Sequence, residues 1–120
     1  MKLVNLTPHR ITIVAPANWP LLGSNTDPIV VEPSGTVARC AEEREIVATL
    51  PTGTGSFDIP VYRAHFGAVQ NLPEPQTGTV YIVSMRLAQA APERQDVFFP
   101  GEAVRDGDGN IIGCIGLSRL

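Results

Sequence analysis

Eleven prolines and eleven glycines lie along a chain of 120 residues, spread out rather than clustered. Proline removes a backbone donor and fixes φ, while glycine supplies turn conformations that other residues avoid. Their spread predicts many short elements joined by tight turns, the pattern of an all-β domain. The expected fold is therefore mainly β, α+β at most: a compact antiparallel barrel or two packed sheets. One short helix is expected at 85–91.

The runs between these breakers read as strands. Residues 2–6 and 10–14 are short apolar runs interrupted by Thr7-Pro8-His9, where proline favours a kink. The segment 15–28 is a breaker-rich loop whose Trp19, Leu21 and Leu22 are candidates to cover an open end of the core. Residues 29–32 and 36–40 flank the turn Pro33-Ser34-Gly35, and 46–50 follows an acidic cluster, AEERE, read as a solvated link. Residues 57–63 read as an edge strand because Pro60 interrupts its donors, and the stretch after it reads as irregular.

The strongest strand signal is TVYIVS at 79–84, a nearly continuous apolar run of the kind found in strands covered on both faces. Ser84 can cap the helix that follows, Pro92 stops it, and Leu87, Ala88 and Ala91 form its inward face. Residues 96–99 look extended, Pro100-Gly101 reads as a turn, and 102–106 pairs with 110–115 across Gly107-Asp108-Gly109 as a hairpin. Neither a repeat nor a linker interrupts the chain, so a single domain over 1–120 is expected.

Composition narrows the partners. Hydrophobic residues make up 43 % and charged residues 18 %, enough apolar material for one core. A net charge of −3 argues against bulk nucleic-acid binding or attraction to an anionic membrane. No stretch is apolar enough to span a membrane, and MKLVNLTPHR lacks the apolar run of a signal peptide, so a cytoplasmic protein is expected. All but one of the nine basic residues are arginine. Either a G+C-rich genome or a use for planar guanidinium forks accounts for that bias.

Candidate chemistry is sparse. Cys40 and Cys114 make neither a CxxC pair nor a zinc knuckle. His9 and His65 stand far apart without ligands at metal spacing, so no metal is expected. Asp106-Gly107-Asp108-Gly109-Asn110 begins like a calcium loop, but Ile111 occupies the glycine position and Leu117 the glutamate position; a hairpin turn explains it. Thr52-Gly53-Thr54-Gly55-Ser56 has the small residues of an anion nest without the helix or lysine that completes one. No nucleophile motif is present, so no catalytic residue or cofactor is assigned.

Arg94 and Asp96 stand where the helix gives way to a strand and point to one side if extended. They form either a structural ion pair or the contacts of a ligand. Arg39 and Arg105 sit within strands beside apolar neighbours, so an inward side chain implies a paired charge or a pocket. Asn5 and His9, at the N-terminal kink, could join such a pocket if the fold brings them there.

Several motifs together resemble a group of small bacteriophage and high-G+C bacterial proteins with an N-terminal NLTPH motif. They are Asn5-Leu6-Thr7-Pro8-His9, Pro33-Ser34-Gly35 with Ala38-Arg39, Gly78-Thr79 with Tyr81-Ile82-Val83-Ser84, Arg94 and Asp96-Val97 with Pro100-Gly101, and Val104-Arg105-Asp106 with Ile112-Gly113-Cys114. The likeness runs nearly end to end. It implies a phage setting, in which small proteins serve as virion parts, regulators or antagonists of host defence, some of which sequester nucleotide-derived signals.

The leading expectation is a binding protein for a small anionic, nucleotide-like ligand in the cytoplasm of a bacterial host. Arg39, Arg94 and Arg105 would hold phosphate or carboxylate, and Asn5, His9 and Asp96 other polar groups. Two other classes stand beside it: a small hydrolase or lyase using His9 with Asp96, and a structural or interaction module without a ligand. A pocket built between two copies, hence a homo-oligomer, suits so small a chain.

Overall fold

A computed structural model describes residues 1–53 and 55–120. It is mainly β with one short helix, as expected. The strands are β1 (Lys2–Asn5), β2 (Ile11–Val14), β3 (Ile29–Val31), β4 (Arg39–Leu50), β5 (Ile59–Gln70), β6 (Thr79–Ile82), β7 (Val97–Arg105) and β8 (Ile111–Ser118). Helix α1 spans Met85–Ala90.

Six strands form one sheet in the order β1-β6-β7-β8-β2-β3, and β4 pairs only with β5. The larger sheet curls almost into a barrel. A parallel bridge joins Asn5 to Pro33, and Ser34 and Ala38 donate their N–H groups to the carbonyls of Asn5 and Leu6. Its pairings are mixed. β1–β6, β6–β7 and β2–β8 run parallel, whereas β7–β8 and β2–β3 run antiparallel. Parallel neighbours need a crossover rather than a hairpin: α1 carries the chain from β6 to β7, and long stretches of chain separate β1 from β6 and β2 from β8.

β6 is the central strand its apolar run predicts. Tyr81, Ile82 and Val83 are all buried although alternate residues point to opposite faces, so both faces are covered. Tyr81 and Val83 join Leu6, Ala38, Val97 and Phe99 in a cluster sealed by Leu87 and Ala88 of α1. Ser84 Oγ accepts from Leu87 N and starts the helix. In the cluster, the larger aliphatic side chains such as Val83, Leu87 and Val97 each contribute about 1.5–3 kcal/mol when fully buried. The Gly107-Asp108-Gly109 turn also forms as expected, with Asp106 Oδ1 accepting from Asp108 N and Asn110 N.

Several local expectations are corrected. The acidic cluster at 41–45 is not a link, and 64–70 is not irregular; both belong to twelve-residue strands. Pro100-Gly101 lies inside β7 rather than in a turn, and the missing Cβ of Gly101 lets the carbonyls of Ile115 and Gly116 approach. Trp19 and Leu22 cover no core and are exposed.

The β4–β5 ribbon also overrides the expectation of a compact shape. The molecule extends 63 × 39 × 23 Å with a radius of gyration of 18.7 Å, against about 14 Å for a compact chain of this length. The ribbon's root is fastened to the barrel: Cys40 and Val69 pack on the core cluster, and Glu42 pairs with Arg86 of α1. Beyond that root nearly every residue is exposed.

Candidate functional site

Asn5 is buried beneath the N-terminal kink. Its Nδ2 donates to the carbonyls of His9 (2.7 Å) and Val31 (3.0 Å), and its Oδ1 accepts from Thr7 N (2.9 Å) and Thr7 Oγ1 (2.7 Å). An amide has two N–H donors and two carbonyl lone pairs, so its capacity is used within the chain. Asn5 ties the kink to β3. His9 also borders a mainly apolar groove of about 420 Å³ beside β2 and β8 that Ile11, Thr12, Ile111 and Ile112 line as well.

Arg94 and Asp96 form a two-pronged ion pair, Nε to Oδ1 and Nη2 to Oδ2, both 2.9 Å. Arg94 Nη2 also donates to the Pro73 carbonyl at 2.7 Å. The side chains are only 15 % and 18 % exposed. The hydrogen bonds from Arg94 hold the Asp96 carboxyl below its ordinary pKa against the opposing effect of burial, and the same pairing raises that of Arg94. Arg94 also borders a small cavity of about 150 Å³ with Gln95, Arg119 and Leu120. The pair joins the segment before β6 to the approach to β7.

The other two arginines are placed differently. Arg105 Nη1 donates to the Gly109 carbonyl across the hairpin, at 2.7 Å, and stays on the surface. Arg39 stands at the first position of β4, where it lines an open cleft of about 330 Å³ with Pro8, Cys40, Ser84, Arg86 and Leu87. Among the described residues its guanidinium has no ion-pair partner. The structure thus joins Asn5 to His9 and Arg94 to Asp96. It does not gather the three arginines into one pocket: Arg39 and Arg94 border different cavities, Arg105 is engaged on the hairpin surface, and His9 borders a third cavity.

Two weaker candidates resolve as follows. Cys40 and Cys114 are free thiols, and among the described residues no cluster of three His, Cys, Asp or Glu could hold a metal. The segment 52–56, read as an incomplete anion nest, includes Thr54, which lies outside the described residues. No helix among the described residues is long and apolar enough to cross a membrane.

The feature that sequence reasoning missed is the ribbon. Cross-strand partners share a face, so the register sorts its residues. One face carries Glu42 with Phe66, Arg44 with Ala64, and Ile46 with Tyr62; Glu42 turns it towards α1 at the root, and Arg44 lies over the Tyr62 ring at 4.2 Å. The opposite face carries Glu43 with His65 and Glu45 with Arg63. A bulge between Ile46 and Ala48 then shifts the parity of β4, so that face continues outward as Ala48 with Val61 and Leu50 with Ile59. Alternation in VYRAHF was the available signal, obscured by Pro60 and Gly67.

The architecture is thus a small, nearly closed mixed-β barrel with a projecting two-stranded arm. Comparison with protein families, curated proteins and solved structures finds no match to this chain.

Proposed function

We propose that the chain is a protein-interaction module of phage type, acting in the cytoplasm of a bacterial host, with the β4–β5 ribbon as its contact arm. One observation carries the reading: large apolar side chains stand exposed along an arm that leaves the barrel. Leu50 and Ile59, register partners on one face, are 53 % and 45 % exposed, and Phe57, just beyond them, is 71 % exposed. Contiguous apolar surface of this kind marks contact sites, and an isolated two-stranded ribbon is marginal in water without something to cover it. The test is site-specific photo-crosslinking in cells, with the crosslinker at Leu50, Phe57 or Ile59 and a control at Lys2. Adducts from the ribbon and none from the control are expected; equal or absent labelling overturns the reading.

A second reading rests on Arg39. Arg39 lines the 330 Å³ cleft with Arg86 and has no ion-pair partner among the described residues, and a cleft of that size accepts a small anion such as a nucleotide's phosphate. In the phage setting such binding would sequester a host signal. Thermal-shift measurements against nucleotides and cyclic nucleotides test it. A rise in melting temperature that Arg39→Ala removes is expected, and no rise with any compound ends this reading.

A further inference from the structure

The ribbon face turned away from α1 has an order that the contact-arm reading does not require. Its acids, Glu43 and Glu45, stand on β4, and its bases, His65 and Arg63, stand directly opposite on β5. Among the described residues only one diagonal of this square is joined, Glu45 to His65 at 3.2 Å. Among the described residues, Glu43 and Arg63, on the other diagonal, have no ion-pair partner. Farther out both strands turn apolar, with Leu50 opposite Ile59.

A face with acids on one strand and bases on the other is complementary to itself. A two-fold axis running along the ribbon lays β4 of one copy over β5 of the other at equal height. Glu43 then meets His65 of the second copy, Glu45 meets Arg63, and Leu50 meets Ile59; the same contacts recur in the reverse sense, as a two-fold interface requires. We infer that the ribbon's partner is a second copy of this chain, joined through this face. The inference rests on the contact-arm reading and specifies its partner. The opposite face has no such order: its Glu42 is engaged by Arg86 and its Arg44 lies on Tyr62.

Twelve residues at about 3.3 Å each give a ribbon roughly 40 Å long. At roughly 10 Å wide, two such faces bury about 800 Å², small beside the 1,200–2,000 Å² of stable complexes. The dimer is therefore concentration-dependent and weakened by salt.

Sedimentation velocity over a range of protein concentrations tests this. The wild type is expected to shift reversibly from monomer to dimer as concentration rises. Glu43→Arg with Glu45→Arg makes the face wholly basic, and Arg63→Glu with His65→Glu makes it wholly acidic. Each should weaken self-association at least about tenfold by opposing like charges, and an equimolar mixture of the two should form a one-to-one heterodimer. Tyr62→Asp, on the other face, should leave the dimer intact. A wild type that stays monomeric throughout, charge variants that dimerise like wild type, or a dimer lost only with Tyr62→Asp would each overturn the inference. Ribbon crosslinks to a different protein from a monomeric wild type would sink the self-pairing alone. The absence of both dimer and crosslinks would sink the contact-arm reading as well.

Discussion

Arg94 grips the Asp96 carboxylate with two parallel hydrogen bonds and spends a further donor on the Pro73 carbonyl. Three points of the chain are fixed by one guanidinium: the segment leading into β6, the end of the helical turn and the approach to β7. Lysine has no planar fork and could not reproduce this arrangement.

Removing one partner of this largely buried pair should be costly. Arg94→Ala leaves the Asp96 carboxylate and the Pro73 carbonyl without their donor, and a loss of about 2–4 kcal/mol is expected from urea denaturation. Arg94→Lys should recover only part of it. An Arg94→Ala protein as stable as wild type would show that the pair is dispensable.

The same pair predicts an acid-side loss of stability. The folded-state pKa of Asp96 is depressed by Arg94, whereas the unfolded chain takes up its proton near the ordinary value of about 3.9. The unfolded state thus binds more protons between those two values. The contribution is fully present above about pH 4 and disappears as pH falls through the folded pKa. Urea midpoints measured from pH 6 down to pH 2 should show the gap between wild type and Asp96→Asn narrowing as the acid is added. A constant gap would contradict the assignment.

Asn5→Ala should destabilise the protein by roughly 3 kcal/mol or more, since several buried hydrogen bonds lose a partner together. Asn5→Asp keeps the shape but turns two donors into acceptors facing the carbonyls of His9 and Val31. Thermal melts of both variants check this, and a melt unchanged for either would show that the knot is not needed.

Two glycines make a paired test. A methyl group at Gly101 would collide with the backbone carbonyls of Ile115 and Gly116, which cannot move without parting β7 from β8. A methyl at Gly107 meets open space. Gly101→Ala is expected to cost about 1–3 kcal/mol or more, as overpacking does, while Gly107→Ala stays within about 0.5 kcal/mol.

Thiol labelling separates the cysteines. Cys40 is partly exposed at the ribbon root, and Cys114 is buried with its Sγ directed at the Thr12 carbonyl at 3.6 Å. One equivalent should react quickly under native conditions and the second only on unfolding; two equally fast thiols would contradict the burial of Cys114.

The parts of the fold written locally could be read locally. TVYIVS announces a doubly covered strand because its packing needs an uninterrupted apolar run, and Ser84 and Pro92 bound the helix through backbone chemistry of their own. The ribbon escaped because it has little core of its own: AEERE lacks the apolar alternation that a half-buried strand shows, yet Glu42, Glu43 and Glu45 are paired residues of β4. The candidate site suffered from distance. Sequence shows that Arg39, Arg94 and Arg105 are present, but their directions depend on partners such as the Pro73 and Gly109 carbonyls. Asn5 was singled out for its chemistry, and only the fold reveals that its chemistry is turned inward.

The ribbon leaves and rejoins the barrel at one point, because Arg39 and Gln70 are register partners. Its outer length touches little else, so changes there need not be matched by changes in the barrel. A related chain could lengthen, shorten or recolour the arm while keeping the same body, and an engineer could graft a different hairpin onto the root formed by Cys40 and Val69. The body would then serve as a handle, and binding preference would become an exchangeable part.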